Sequence, residues 1–122
     1  MAFGITEILP ALGGWFNPLI GRASFNADNI YQSKDDTLAR LKVLDNHLCG
    51  REYLVGEILS LADLFVLGIV QGAFRFFLDR RWRDDHRNLT TWFERVHTLP
   101  IVVNVAGLPV LAEYEMPIQP PK

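Results

Sequence analysis

The stretch Tyr53-Leu-Val-Gly-Glu-Ile-Leu-Ser60-Leu-Ala-Asp63-Leu-Phe-Val-Leu sets a complete helix-starting signal directly in front of a long apolar run. Ser60 reads as the N-cap: its hydroxyl can accept from the free N–H of Asp63, while the Asp63 carboxylate reaches back to the N–H of Ser60 and sits at the positive end of the helix dipole. Leu59 before the cap and Leu64 inside the helix are spaced as a hydrophobic staple that fixes the angle of entry. The helix that follows is apolar almost all round, so it belongs in the middle of a fold. Ser60, Asp63, Leu59 and Leu64 are therefore expected to be structural. Pairing with the helix end uses up the hydrogen-bonding capacity of Ser60 and Asp63, and a catalytic serine would need a base that the neighbouring sequence does not offer.

A length of 122 residues suits one domain, and a hydrophobic fraction of 49% with 21% charged residues allows a real core. The charge of 12 minus 14, or -2, gives no general attraction to nucleic acid or anionic lipid. The single cysteine, Cys49, cannot close an internal disulfide, which fits a reducing compartment. Its place at the end of a predicted helix works against a lowered thiol pKa, so it reads as a structural thiol. The opening Met-Ala-Phe-Gly-Ile-Thr-Glu lacks the basic n-region of a signal peptide, and a cytoplasmic location is expected. The apolar segment 61–78 contains Gly68-Ile-Val-Gln-Gly72, a spacing that lets helices approach closely. Asp63, Gln71 and Arg75 interrupt it, and it falls short of a membrane span, so a buried core helix is expected and no membrane contact.

Around this helix the chain offers amphipathic companions. The pattern from Ile5 to Leu19, broken by Pro10 and Gly13-Gly14, predicts a bent or short first helix ending near Asn17-Pro18. Asn26 caps a second, with Ile30, Leu38, Leu41, Leu44 and Leu48 at helical spacing and Gly50 as its stop. The opposite face of this second helix, with Lys34, Asp35, Asp36, Arg40, Lys42 and Asp45, is expected to be solvated or to meet a partner. Leu89, Trp92, Phe93 and Val96 predict a fourth helix, capped by Asn88 and stopped by Pro100. The run Ile101-Val-Val-Asn-Val-Ala favours a strand by its β-branching but has no partner strand, so it reads as a short last helix. Residues 113–122 cannot continue a helix and are expected as an extended, Pro-containing tail or linker start after a domain over 1–112. The predicted fold class is all-α, about five helices around one central buried helix.

Chemistry is sparse in this sequence. Five arginines (75, 80, 81, 83 and 87) interleave with Phe76, Phe77 and Trp82, but Asp79, Asp84 and Asp85 reduce the local sum to +2. Such a mixture reads as a salt-bridged solvated turn with its aromatics turned inward, and nucleic acid is not an expected partner. His47, His86 and His97 fall at predicted helix ends. No Gly-x-Ser-x-Gly, HExxH, phosphate-cradling loop or CxxC is present, and His47 with Cys49 is too small a set for a metal, so no catalytic residue and no metal site are assigned. By elimination these residues are expected to catalyse nothing alone.

The segments Tyr53-Leu-Val-Gly-Glu-x-x-Ser60-Leu-Ala-Asp63-Leu, Phe76-Phe-Leu-Asp-x-x-Trp82-Arg-x-x-His86 and Asn88-Leu-Thr-x-Trp92-Phe, with Pro100, together resemble the helical C-terminal domain of glutathione transferases. The Trp-Arg-x-x-His followed by Asn-Leu-Thr-x-Trp-Phe is most similar to the transferase-like module of the gamma subunit of eukaryotic translation elongation factor 1B, in its fungal form. The resemblance covers nearly the whole chain, and Arg87 stands where that family commonly has proline.

In the family a thioredoxin-like half precedes these helices and supplies the glutathione site. The resemblance therefore implies that no cofactor is bound by these residues alone, with glutathione entering only if that half is present. It implies a non-catalytic scaffold that binds the nucleotide-exchange subunit of elongation factor 1B. A homodimer would form through the first two helices, 5–19 and 26–48. Two alternatives stay open: the C-terminal half of a true glutathione transferase, with Trp15 and Phe16 in the wall of an electrophile pocket, and a helical adaptor of an aminoacyl-tRNA synthetase complex.

Overall fold

A computed structural model describes residues 5–55 and 57–121, with side chains described from Ile8 onward. Six α-helices follow one another among the described residues: α1 Ile5–Phe16, α2 Ala27–His47, α3 Leu61–Phe76, α4 Arg80–Asp85, α5 Arg87–His97 and α6 Pro100–Ala106, with a 3-10 turn at Asn17–Ile20 between the first two. The fold is all-α, as its periodicity predicts.

Local chemistry sets the boundaries. Asn26 caps α2, its side chain accepting from Asn29 N–H at 3.1 Å. Gly50, with φ of +73°, turns the chain just past the end of α2, a conformation that costs a glycine nothing. Pro10 lies inside α1, which still runs 12 residues before the 3-10 turn holding Pro18 takes over. Pro100 is not a stop: α5 ends at His97, and Pro100 occupies the first turn of α6, where its missing N–H is no loss.

The core is aromatic and aliphatic. Val66, Val70 and Phe74 of α3 are fully buried, as are Leu41 and Leu44 of α2, Trp92 of α5 and Trp15 of α1. Phe74 stacks on Phe93 with centroids 4.0 Å apart, and Trp15 stacks on Phe77 at 3.8 Å. Helix α1 lies against α2 closely enough that a Cβ on Gly14 would come within 2.4 Å of Ser33 Oγ.

Three expectations are corrected. Helix α3 is not enclosed all round: Leu61 (84% exposed), Phe65 (58%) and Gly68 form a bare stripe, because α6 is only seven residues long and covers part of that side. The Gly68/Gly72 pair is not a helix contact, since a Cβ at either would meet nothing within 4 Å. The arginine-rich segment is not a turn but helix α4, started by Asp79, whose carboxylate accepts from Trp82 N–H at 2.9 Å.

The final segment is extended, and it is tied down. Ala112 N–H donates to Phe74 O and Met116 N–H to Phe76 O, both at 2.8 Å, so the tail meets carbonyls that the end of α3 leaves free. Lys34 and Glu115 pair at 2.7 Å. Arg83, buried despite its charge, donates through Nη1 to Leu78 O and Ala112 O and holds α4 and the tail together.

Candidate functional site

Two buried carboxylates do structural work. Asp63 Oδ2 accepts from Ser60 N–H at 2.9 Å and from Ser60 Oγ–H at 3.1 Å; Oδ1 accepts from Leu54 N–H at 2.9 Å and Trp92 Nε1–H at 2.8 Å. The Ser60 hydroxyl thus turns toward the carboxylate, and the Asp63 N–H reaches the Ser60 carbonyl oxygen at 3.1 Å. With four donors on two oxygens, the Asp63 carboxylate has no role left as an acid or base. Leu59 is exposed, and Leu64 is partly buried against the core.

Asp45 was placed by its sequence neighbours on a solvated face, and Asn88 at the cap of the following helix. The structure corrects both. Asp45 is buried, and its Oδ1 accepts from Leu89 N–H at 2.8 Å, supplying to α5 a cap that the N-cap residue His86 does not give. The loop between α2 and α3 is pinned as well: His47 Nε2 lies 3.1 Å from Leu54 O, and Arg95 donates to Glu52 O at 2.6 Å.

An open cleft of about 530 Å³ lies between α1, the 3-10 turn and the C-terminal half of α3. Leu9, Pro10 and Leu12 form one side, Phe16 and Pro18 the end, and Phe76 with Phe77 the far wall. Phe16 and Phe76 stack across it with centroids 5.0 Å apart. Trp15 has no exposed surface and stands behind this wall, stacked on Phe77.

Among the described residues Asn17 is the one polar side chain in this lining, and no titratable one lines it. Such a surface can bind, orient and desolvate an apolar molecule, and it has nothing with which to move a proton or attack a carbon. Among the described residues no three His, Cys, Asp or Glu side chains gather as a metal site, and Cys49 is exposed on the turn after α2. No helix among them is long and apolar enough to cross a membrane.

An all-helical body with one capped central helix and an apolar cleft defines a helical domain able to hold an apolar molecule. The family model for the glutathione S-transferase C-terminal domain matches residues 15–100, and the chain belongs to that family. It is 93% identical over all 122 residues to glutathione S-transferase stcT of Emericella nidulans, covering 57% of that protein. It is 39% identical over 93 residues, 76% of its length, to elongation factor 1-gamma of Artemia salina, of which that match covers 22%. The crystal structure of the GST-like domain of elongation factor 1-gamma from Saccharomyces cerevisiae superposes with a TM-score of 0.86 at 24% identity, over 99% of this chain and 54% of that one. That likeness shows the fold. The chain spans about half the length of the curated transferases it matches.

The expectation of a non-enzyme is thereby corrected. Identity of 93% to a protein named as a glutathione S-transferase points to the enzymes of the family, and the elongation factor is the more distant relative at 39%.

Proposed function

We propose that these residues are the helical half of a cytosolic glutathione transferase, and that the cleft between α1 and α3 is the wall against which an apolar electrophile rests. In this reading glutathione is bound and activated by a thioredoxin-like partner half outside these residues. Its thiolate attacks an electrophilic carbon, a thioether forms, and the leaving group departs with the bonding electrons. The contribution of this chain is to hold the electrophile by apolar contact through Phe16, Leu9 and Phe76 and to strip water from it. Pairing of two copies through α1 and α2 belongs to the same proposal. The observation that carries it is the 93% identity to a glutathione S-transferase along the entire chain.

The test is a chimera in which these 122 residues replace the matching part of stcT, assayed with glutathione and 1-chloro-2,4-dinitrobenzene. Conjugation is expected, with Phe16→Ala raising KM for the aromatic substrate several-fold and leaving KM for glutathione unchanged. An inert chimera beside an active parent would overturn the proposal. A second reading, a module of the elongation factor complex, rests on the 39% identity to elongation factor 1-gamma, and its sign would be capture of the nucleotide-exchange subunit by the purified chain.

A further inference from the structure

A second cavity, of about 400 Å³, opens on the other side of Phe76 from the apolar cleft and has a different chemistry. Gln71 and Arg75 come to it from the last turns of α3, Phe93 and His97 from the end of α5, and Leu108 and Val110 from the segment after α6. Among the described residues no carboxylate lines it, so none of them offers the Arg75 guanidinium a counter-charge within the cavity. Arg75 sits 5.6 Å over the ring of Phe76, exposed at the rim.

His97 borders the cavity from the end of α5. It is 5% exposed, it lines this cavity, and its Nδ1 is buried without a hydrogen-bond partner. Among the described residues the one other such atom is Trp15 Nε1, in a ring that lines neither cavity. The remaining buried polar side chains, Thr37, Asp45, Asp63, Arg83 and Thr90, are all satisfied from within the chain. The His97 Nδ1 lies behind the cavity surface, so the charge that a ligand meets there is that of Arg75.

We propose that this cavity binds a small organic acid with a flat apolar body. The carboxylate pairs with the Arg75 guanidinium, the planar two-pronged donor best matched to it, while the Gln71 amide donates to the same oxygens and the His97 ring borders the site. Phe93, Leu108 and Val110 cover the apolar body, and the volume suits a fused two-ring acid. The site stands whether or not the transferase reading holds, since it uses neither glutathione nor the apolar cleft.

The experiment titrates the 122-residue chain with 2-naphthoate and with its neutral counterpart 2-naphthamide, following heat and the NMR resonances of His97. The acid is expected to bind at least tenfold more tightly than the amide at low salt and to shift the His97 ring signals. Arg75→Gln, at an exposed position that keeps the fold, is expected to erase the preference, and Phe16→Ala to leave it intact. Equal binding of acid and amide, no binding of the acid up to millimolar concentration, an undiminished preference in Arg75→Gln, or shifts confined to Phe16 and Leu9 would each overturn the proposal.

Discussion

The Asp63 carboxylate accepts the indole N–H of Trp92 at 2.8 Å, joining the first turn of the central helix to the middle of α5 across 29 residues of sequence. The same oxygen takes Leu54 N–H, and its twin takes two donors from Ser60, so one side chain fixes three segments at once. Asp63→Ala should leave the two buried donors, Leu54 N–H and Trp92 Nε1–H, unpaired, where each costs ~1 to 3 kcal/mol, for a total of about 2 to 6 kcal/mol. Asp63→Asn keeps one carbonyl oxygen and should lose less than half as much. Thermal denaturation of the pair checks this; a midpoint for Asp63→Ala within a degree of the parent would refute it.

Capping of α5 from α2 carries its own consequence. Asp45→Ala removes the acceptor of Leu89 N–H, and a lost cap of this kind costs about 1 to 2 kcal/mol. Asn88→Ala, the position that local sequence marks as the cap, should cost only a few tenths. Urea denaturation that ranks the two variants the other way would show that the cap is local after all.

Two glycine-to-alanine changes should move stability in opposite directions. At Gly14 a methyl group would press on Ser33, 2.4 Å from its Oγ and 3.1 Å from its Cβ, and overpacking of this order costs about 1 to 3 kcal/mol. At Gly68 nothing stands within 4 Å, and replacing glycine inside a helix should gain ~0.5 to 1 kcal/mol. Melting curves of Gly14→Ala, Gly68→Ala and Gly14→Ala with Ser33→Ala decide it, the double variant recovering part of the first loss.

Arg83 is the third buried polar hub. Replacing it with methionine keeps the length of the stem and removes the donors to Leu78 O and Ala112 O. The expected loss is about 2 to 4 kcal/mol, since two carbonyls are left unpaired and hydrogen bonds from a charged donor are the stronger kind. Hydrogen exchange should accelerate at Ala112 and Met116 before it does in α2. A uniform acceleration across the molecule would count against a local role for Arg83.

Much of the fold is legible in the chain because its strongest signals are short-range. Asn26, the Ser60/Asp63 box and the spacing of Leu89, Trp92, Phe93 and Val96 mark helices through contacts within one or two turns. Helix α4 escaped because six charged and aromatic residues carry no period, although Asp79 three residues before Trp82 is a usable cap signal. Asp45 escaped for a different reason: a carboxylate on a helix's polar face looks solvated until a partner 44 residues away arrives. The glycines misled in both directions, since spacing alone cannot say which of them faces a neighbour. The cleft was readable only as far as Phe16, because its other wall comes from Phe76 and Phe77, brought opposite by tertiary packing. Whether such a chain serves catalysis or assembly is not written in these helices, which match a glutathione S-transferase at 93% identity and an elongation factor 1-gamma at 39%.

By composition the last ten residues are a spacer, a place where a protein engineer would cut or splice first. Because the carbonyl of Phe76 is spent on Met116 N–H, shortening the chain there would loosen the final turn of the central helix. The damage would reach Phe76 and, through its ring, Phe16 at the wall of the cleft.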